Sequence, residues 1–314
     1  MSQPIDLSIV ILNWNASADT IQCVQRLVGW SRLRPIIWVV DNASTDGSAD
    51  IIAARCPQVQ LIRIPTNLGY AEGNNQALRL ALARGNASIL LLNNDAMVAE
   101  ADVIRLVETL QSDSRIGFCG PLLFDADQPD KLLAAGGQNM VCHLHSHLAR
   151  LPDARPVYEV DYVPGTVMLG RAETFRLVGL LDPAYFFTGE IPDLCRRARQ
   201  HGYQTVVDSR AKAFHALDRS ANLRSTLYTY YIIRNRFLFI QKFYPQTRLF
   251  FYSFWGLYSL ALSLKLQWQG QLAPARAVRL GLADGWQGRF GGQNERILAL
   301  TPNRSSYENF VPYD

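Results

Sequence analysis

The stretch that decides the fold is Ile-Leu-Leu-Leu-Asn-Asn-Asp-Ala at residues 89–96. Its four consecutive apolar residues are typical of a strand that is buried on both faces, as in the middle of a parallel sheet. The run then ends in two amides and the carboxylate of Asp95. Because open α/β sheets bind ligands beyond the carboxyl ends of their strands, we expect Asp95 to lie in a ligand site. A single carboxylate beside amide oxygens suits a divalent cation that also binds water and substrate phosphates.

Taken alone, the same residues could form an ordinary turn after a strand, but the neighbouring segments favour a site. Leu7–Asn13, Ile36–Val40 and Val59–Ile64 are predicted strands, and apolar residues at helical spacing predict helices at Thr20–Trp30 and Gln76–Ala83. Strands that alternate with helices indicate an α/β fold with a mostly parallel, doubly wound sheet. Successive strands end in Asn and Asp, so polar groups should collect along one edge of this sheet.

These strand ends suit a nucleotide. Asp41 could accept a hydrogen bond from a base imide or from ribose hydroxyls. Gly69 and Gly73 would let the backbone approach a diphosphate, and a helix that begins near Asn74 would direct its N–H groups at it. The sequence contains neither a G-x-G-x-x-G motif after the first strand nor a Walker lysine loop. The first absence argues against a dinucleotide oxidoreductase, and the second argues against a P-loop enzyme.

Charge is distributed unevenly along the 314 residues, although the formal net charge is only +4. Residues 1–195 hold 14 Lys and Arg against 21 Asp and Glu, a net of −7, whereas residues 196–314 hold 17 against 6, a net of +11. The basic rear half predicts an anionic partner, either a membrane surface or nucleic acid. Since no zinc finger, RNA-recognition signature or basic region with heptads is present, we expect no nucleic acid partner.

Cysteine usage and the N-terminus both predict a cytoplasmic protein. The five cysteines are odd in number and never spaced C-x-x-C, which is typical of reduced thiols without a disulfide framework or a zinc knuckle. The N-terminus lacks a basic n-region, and the apolar run Leu7–Leu12 is too short for the core of a signal peptide.

Residues 249–264 are uncharged, contain six aromatic residues and are bounded by Arg248 and Lys265. A helix of this length spans about 24 Å, which is short for a bilayer crossing of about 30 Å. The aromatic residues and flanking cations favour an interfacial membrane helix, and a buried helix of a C-terminal appendage is the alternative. Four small residues are expected to lie on one face and pack on the rest of the chain: Ser253, Gly256, Ser259 and Ser263.

The segment Cys-His-Leu-His-Ser-His at residues 142–147 resembles a metal-binding pattern, because alternate residues of a strand project from one face. No further carboxylate or cysteine follows at a recognisable spacing, and a metal site needs a full set of ligands. A polar hairpin is therefore expected here.

The ordered set of motifs resembles the family 2 glycosyltransferases, and within them the rhamnosyltransferase-like branch. The similarity extends from the first strand to about residue 240, and the ordered set is highly specific although each motif alone is weak. The motifs are Ser-Ile-Val-Ile-Leu-Asn-Trp-Asn at 8–15, Val-Val-Asp-Asn-Ala-Ser-Thr-Asp-Gly-Ser at 39–48, Asn-Leu-Gly-Tyr-Ala-Glu-Gly-Asn-Asn at 67–75, Leu-Leu-Asn-Asn-Asp at 91–95, Val-Pro-Gly-Thr-Val-Met-Leu at 163–169, Val-Gly-Leu-Leu-Asp-Pro-Ala-Tyr-Phe-Phe at 178–187, Asp-Leu-Cys-Arg-Arg-Ala at 193–198, Ala-Lys-Ala-Phe-His at 211–215, and Tyr-Ile-Ile-Arg-Asn-Arg at 231–236. Gly-Arg-Phe-Gly at 288–291 is similar to the C-terminal part of the family.

The resemblance implies a GT-A fold, a Rossmann-like and mostly parallel doubly wound sheet, at residues 1–218, with a C-terminal helical appendage at 219–314. It implies a metal-dependent, inverting transfer of a sugar from a dTDP- or UDP-linked donor, with rhamnose favoured. The acceptor would be a hydroxyl of a lipid-linked or cell-surface glycan, and the enzyme would act in cell-envelope polysaccharide biosynthesis on the inner face of the plasma membrane.

The resemblance also assigns site residues. Asp95, as the remnant of a D-x-D motif, and His215 would bind Mg²⁺ or Mn²⁺, and His215 follows the predicted strand Val206–Ala213 as a ligand suited to either ion. Asp41 would contact the base, and Arg234 would assist at the diphosphate. The full set expected to bind the donor is Asn13, Asp41, Asn67, Gly69, Tyr70, Asn74, Asn94 and Arg234.

The chain departs from the family at the catalytic base. Relatives carry Glu-Asp-x-Asp-Leu in the acceptor-side loop, with the second acid as the base, whereas this chain has Ile191 at that position. Glu190 is the favoured replacement, because it follows the aromatic run at residues 185–187, where partial desolvation would raise the pKa of a carboxylate. Asp193 is the alternative base, but we expect it to cap a helix. A catalytically inactive homologue that binds nucleotide sugars is the remaining possibility.

Overall fold

The computed structural model describes residues 5–152, 154–216 and 224–299. In its N-terminal part, helices and strands alternate as the sequence pattern predicts. The elements up to residue 112 are β1 (Ile5–Asn13), α1 (Ser17–Val28), β2 (Leu33–Asn42), α2 (Ser48–Arg55), β3 (Gln60–Ile64), α3 (Gly69–Arg84), β4 (Ser88–Leu92), β5 (Ala96–Val98) and α4 (Glu100–Ser112).

The second half of the sheet is more irregular, and helices follow it. The elements are β6 (Ile116–Asp125), β7 (Leu132–Ala134), β8 (Val157–Glu159), β9 (Val167–Arg171), α5 (Ala172–Val178), α6 (Glu190–Gln200), β10 (Gln204–His215), a π-helical turn (Arg224–Tyr228), α7 (Thr229–Phe243), α8 (Arg248–Trp268), α9 (Leu272–Gln287) and α10 (Asn294–Leu298). The expected domain boundary at residues 218 and 219 lies outside the described residues.

One sheet runs through the molecule in the order β3-β2-β1-β4-β9-β6-β10-β5. β3, β2, β1 and β4 are parallel, and β9 runs antiparallel to both β4 and β6. β10 is parallel to β6, so its carboxyl end lies at the same edge as the carboxyl ends of β1, β2 and β4. The predicted α/β fold with a mostly parallel, doubly wound sheet is confirmed.

Apolar clusters cover both faces of the sheet. α1, α2 and α4 supply the buried residues of one cluster, and α3, α5 and α6 supply those of the other. β4 contributes Leu90 and Leu92 to the first face and Ile89 and Leu91 to the second, as expected for a strand buried on both faces.

The C-terminal helices form a third cluster that includes Tyr185 and Met140 of the preceding chain. Polar contacts strengthen this packing. The indole N–H of Trp255 donates to the carbonyl of Val141 (3.0 Å), and the guanidinium of Arg236 donates to the carbonyl of Met140 (2.7 Å). The helical appendage is therefore anchored to the segment that connects β7 with β8.

The helix at residues 249–264 is longer than its apolar stretch predicts. α8 has 21 residues, about 32 Å at 1.5 Å per residue, and by length and composition it is apolar enough to cross a membrane. The argument from length against a membrane span was therefore wrong. Of the four small residues expected on its buried face, Gly256, Ser259 and Ser263 are buried, whereas Ser253 is exposed.

Candidate active site

Polar side chains from three strand ends form one hydrogen-bonded chain. Asn13 at the end of β1 donates to Oδ1 of Asp41 at the end of β2 (2.8 Å). The hydroxyl of Thr20 donates to Oδ1 of Asn13 (2.7 Å) and accepts from Nδ2 of Asn94, beyond the end of β4 (3.0 Å). All four side chains are buried. The structure therefore places Asn13, Asp41 and Asn94 together, and it adds Thr20, which the sequence analysis missed.

A second set of amides fixes the loop between β3 and α3. Nδ2 of Asn42 donates to Oδ1 of Asn67 (3.1 Å), and Oδ1 of Asn42 accepts the backbone N–H of Leu68 (2.9 Å). Oδ1 of Asn67 also accepts the backbone N–H of Gly69 (2.9 Å). Asn67 therefore shapes this loop from within, and Asn42 is a second residue that the sequence analysis missed.

The glycines of this region contact protein. Gly69 has φ +75°, and a Cβ atom there would lie 2.3 Å from the carbonyl oxygen of Phe186. A Cβ atom on Gly73 would lie 2.7 Å from a methyl group of Leu12. These close approaches explain why both positions need glycine, whereas we expected the diphosphate to be the reason. Gly69 brings the start of α3 against Phe186 in the loop at residues 184–189 before α6, which we call the acceptor-side loop.

α3 begins at Gly69, so the expectation that it begins near Asn74 was wrong. Asn74 lies in the helix interior, where its amide donates to the carbonyl of Tyr70 (2.9 Å). Tyr70 is buried, and its hydroxyl donates to the carbonyl of Gly165 (3.1 Å). The first turn of this helix is Gly-Tyr-Ala-Glu, which carries no apolar periodicity and was therefore not recognised as helical.

Asp95 and His215 meet at the edge of the sheet. β5 runs back antiparallel to β10, and this register pairs His215 with Ala96, the residue after Asp95. As a result, Nε2 of His215 lies 3.0 Å from Oδ2 of Asp95, and both side chains are buried. His215 is the last residue of β10, whereas the sequence pattern placed it after the strand.

The donor atoms of this pair fit a divalent cation. Both carboxylate oxygens of Asp95 are buried, and apart from the contact with His215 neither has a hydrogen-bond partner among the described residues. One carboxylate and one imidazole suit Mg²⁺ or Mn²⁺. Within the described ranges no group of three or more His, Cys, Asp or Glu side chains could hold a metal. A cation at Asp95 and His215 would therefore take further ligands from water and phosphate.

Glu190 and Asp193 have different surroundings. Glu190 is the first residue of α6 and is fully buried. Its chain neighbours Gly189 and Ile191 line a cleft, together with Thr188 and Gly165. Glu190 therefore lies next to this cleft.

Asp193 does not cap α6, because the helix begins three residues earlier, at Glu190, with Gly189 as its N-cap. The buried carboxylate of Asp193 instead accepts hydrogen bonds from Arg197 (2.6 Å), from the hydroxyl of Tyr185 (3.1 Å) and from Lys242. Burial, followed by the charge of Asp193, raises the pKa of Tyr185 well above its usual value, so this hydroxyl stays a donor. The contacts of Asp193 are structural.

The acceptor-side loop has an unusual backbone that α7 holds in place. Phe186, Thr188 and Gly189 all have positive φ angles, of 62°, 66° and 90°. The buried amide of Asn235 donates to the carbonyls of Tyr185, Phe187 and Thr188 at 3.0, 2.8 and 2.6 Å. These bonds offset the cost of left-handed backbone at residues other than glycine. Asn235 is a further residue that the sequence analysis missed, although it lies in one of the quoted motifs.

Arg234 is fully buried beside Asn235. Its guanidinium donates to the carbonyls of Tyr185 (2.8 Å), Ala184 (3.3 Å) and Gly291. In this structure Arg234 therefore ties the acceptor-side loop to the segment before α10. Its contact with a diphosphate stays a prediction.

Several known proteins of similar sequence are named as glycosyltransferases. Residues 8–138 match the model of glycosyl transferase family 2. The low-salt glycan biosynthesis hexosyltransferase Agl10 of Haloferax volcanii is 27% identical over 241 residues, which cover 74% of this chain and 75% of the relative. An N-acetylglucosaminyl-diphospho-decaprenol L-rhamnosyltransferase of Mycobacterium tuberculosis is 26% identical, with coverage of 58% and 67%. The dTDP-rhamnosyl transferase RfbF of Shigella flexneri is 22% identical, with coverage of 65% and 70%.

Solved structures show the same fold. The mannosyltransferase PcManGT from Pyrobaculum calidifontis, in complex with GDP-Man and Mn²⁺, superposes with a TM-score of 0.56 at 16% identity, over 95% of this chain and 79% of that protein. GalNAc-T7 with UDP, GalNAc and Mn²⁺ gives a TM-score of 0.55 at 18% identity, over 69% of this chain and 45% of that protein. The fold is GT-A, and over residues 8–138 the chain is similar to glycosyl transferase family 2, with further similarity to relatives named rhamnosyltransferases.

Proposed function

We propose that this glycosyltransferase moves a sugar, with rhamnose favoured, from a dTDP- or UDP-linked donor to a hydroxyl of a lipid-linked or cell-surface glycan, with inversion at the anomeric carbon. The observation that carries the proposal is the position of Asp95 and His215, 3.0 Å apart, at the edge where β1, β2 and β4 end. The names of the relatives from Mycobacterium tuberculosis and Shigella flexneri support the sugar and the donor. The lipid-linked acceptor is supported by the name of the relative from Mycobacterium tuberculosis.

Asp95 and His215 are the residues that would hold Mg²⁺ or Mn²⁺. The cation, when bound, neutralises the charge that develops on the departing diphosphate. Solved structures of the same fold that contain Mn²⁺ support this assignment. Asp41 binds the base or ribose of the donor. Among the described residues its carboxylate accepts hydrogen bonds from Asn13 and from the backbone of Ser44, so it can accept further ones. Asn13 holds this carboxylate directly, and Thr20, which accepts from Asn94, holds Asn13 in turn.

Glu190 is the proposed base. Its carboxylate takes the proton of the acceptor hydroxyl, the hydroxyl oxygen forms a bond to the anomeric carbon, and the bond from that carbon to the diphosphate oxygen breaks. The nucleoside diphosphate is the leaving group, and attack from the opposite face inverts the centre. Asp193 is the weaker candidate, because Arg197, Tyr185 and Lys242 already occupy its carboxylate.

A membrane surface is the proposed location of the acceptor. One face of α8 exposes a stripe of large apolar side chains, which we call the α8 stripe: Leu249, Phe250, Phe254, Leu257, Leu260, Leu264 and Trp268. An apolar groove of about 720 Å³ between α8 and α9 continues it.

The same two helices carry four exposed cations: Arg248, Lys265, Arg276 and Arg279. This combination suits an anionic lipid surface. The opposite face of α8 packs on protein through Tyr252 and Trp255, which favours an interfacial helix over a membrane span.

Turnover of a nucleotide-sugar panel with Mg²⁺ or Mn²⁺ tests the proposal, with membrane glycolipid extract as the acceptor. We expect one dTDP- or UDP-linked sugar to yield a glycolipid of increased mass and one equivalent of nucleoside diphosphate. If the protein binds the nucleotide but makes neither product with any donor, the alternative holds. The chain is then an inactive nucleotide-sugar-binding homologue, as Ile191 at the family's base position suggests.

A further inference from the structure

His147 occupies a position that neither the motifs nor the reaction accounts for. The segment around it forms the expected polar hairpin. The backbone N–H of Gln138 donates to the carbonyl of Ser146 (2.7 Å), that of Leu148 donates to Gly136 (3.0 Å), and Gly137 forms antiparallel bridges with His147 and Tyr162. His147 is thus held by backbone bonds on both sides, and the direction of its side chain is fixed.

The imidazole of His147 lines the cleft beside Glu190, opposite residues of the acceptor-side loop. Gly165, Thr188 and Gly189 line the same cleft. The ring packs edge-on against Tyr162, with the centroids 5.8 Å apart. His147 comes from the connection between β7 and β8, so a segment outside the quoted motifs completes this cleft.

One nitrogen of this ring lacks a partner. Nδ1 of His147 is buried and has no hydrogen-bond partner in the part of the chain that the structure describes. Leaving a buried polar atom unpaired is unfavourable, and a hydroxyl of a ligand in the cleft would remove that cost. The other histidines of the hairpin, His143 and His145, are exposed, and the described residues offer no metal cluster there. These observations do not favour a metal ion at this nitrogen, and a hydroxyl group of a ligand is a partner that fits it.

The electrostatic surroundings agree with a neutral ring. Burial, and then the nearby charge of His215, lower the pKa of His147 below its usual value. A neutral imidazole both accepts and donates hydrogen bonds, as a sugar hydroxyl does.

We propose that His147 hydrogen-bonds a hydroxyl group of the acceptor saccharide, and that the hairpin at residues 138–148 thereby contributes to the choice of acceptor. This inference rests on the proposed function and names one side chain of its acceptor site. His147 acts on binding and orientation, while Glu190 takes the proton.

The test compares His147→Ala, His147→Asn and His145→Ala. Asparagine places an amide near the position of Nδ1, so it should restore part of the contact, and exposed His145 is the matched control from the same hairpin. With a membrane glycolipid extract as acceptor, we expect His147→Ala to raise the acceptor KM roughly tenfold, as one lost hydrogen bond predicts. Hydrolysis of the nucleotide sugar by water should stay within about twofold, since it needs no acceptor.

A binding measurement separates this inference from the proposed function. Saturation-transfer NMR with a panel of p-nitrophenyl glycosides requires no turnover. We expect at least one glycoside to bind the wild type and His145→Ala, and to bind His147→Ala more weakly. The role of His147 would be overturned if His147→Ala bound the glycosides as well as the wild type, or if the wild type bound none of them. It would also be overturned if His147→Ala lost acceptor transfer and donor hydrolysis to the same extent. Failure of the wild type to turn over any donor would instead count against the proposed function.

Discussion

Nε2 of His215 lies 3.0 Å from Oδ2 of Asp95, which joins the end of β10 to the end of β4. The contact follows from topology: β5 turns back directly after Asp95 and pairs with the last residues of β10. The same sheet edge carries Asp41, which connects to Asn94 through Asn13 and Thr20. Residues from four strand ends therefore converge at one edge of the sheet, the edge at which open α/β sheets bind ligands.

Glu190→Gln and Asp193→Asn should have different effects. Glu190→Gln removes the proposed base, so we expect kcat to fall at least 100-fold while the nucleotide affinity stays within about twofold. Asp193→Asn leaves Arg197 without its carboxylate, while Lys242 keeps the carboxylate of Asp182, so the free energy of unfolding should fall by about 2–4 kcal/mol. Steady-state kinetics and urea denaturation measure the two effects. A stable, inactive Asp193→Asn beside an active Glu190→Gln would make Asp193 the base.

Asn235→Ala should loosen the acceptor-side loop. Three carbonyls lose their shared donor, and the left-handed backbone at Phe186 and Thr188 loses its support. We expect the free energy of unfolding to fall by about 2–3 kcal/mol and kcat to fall with it, because Glu190 follows this loop. Asn86→Ala is the control, since the amide of Asn86 donates only to the hydroxyl of Ser8 among the contacts seen (3.1 Å). Wild-type kcat and stability in Asn235→Ala would refute this role.

Gly69→Ala and Gly85→Ala form a matched pair. Both glycines have positive φ, +75° and +88°, but a Cβ atom at Gly85 would meet open space, whereas one at Gly69 would lie 2.3 Å from the carbonyl oxygen of Phe186. We expect Gly85→Ala to cost about 1 kcal/mol of unfolding free energy and Gly69→Ala to cost about 2–4 kcal/mol. Gly69→Ala should also reduce kcat, because Phe186 has to move. Thermal denaturation of both variants measures the difference, and equal costs would contradict the close approach.

Substitutions in the α8 stripe should release the protein from membranes. Deleting this helix would remove the buried Tyr252 and Trp255, so surface substitutions are preferable. We expect Leu257→Glu together with Trp268→Glu to reduce co-sedimentation with anionic liposomes at least tenfold, since both side chains are exposed and apolar. The control is Leu177→Glu, since Leu177 is another exposed leucine and lies on α5. Unchanged pelleting of the double variant would exclude the α8 stripe as the membrane contact.

The sequence was sufficient for the sheet and for the grouping of Asp41, Asp95 and His215, because strand ends follow from apolar runs that stop at polar residues. The start of α3 was not predictable in the same way, because its first residue is a glycine with positive φ and its first turn has no apolar periodicity. The surroundings of Asp193 depend on Lys242, a residue of a distant helix. Contacts of this kind arise only when elements pack, so local patterns do not contain them.

The central claim is that Asp95 and His215 hold a cation beside the bound nucleotide. Anomalous diffraction from crystals grown with Mn²⁺ and dTDP or UDP tests it most directly. The account predicts one strong Mn²⁺ peak in contact with Asp95, His215 and the diphosphate, and no peak in Asp95→Asn. A nucleotide bound elsewhere, or a Mn²⁺ peak away from this pair, would contradict the account.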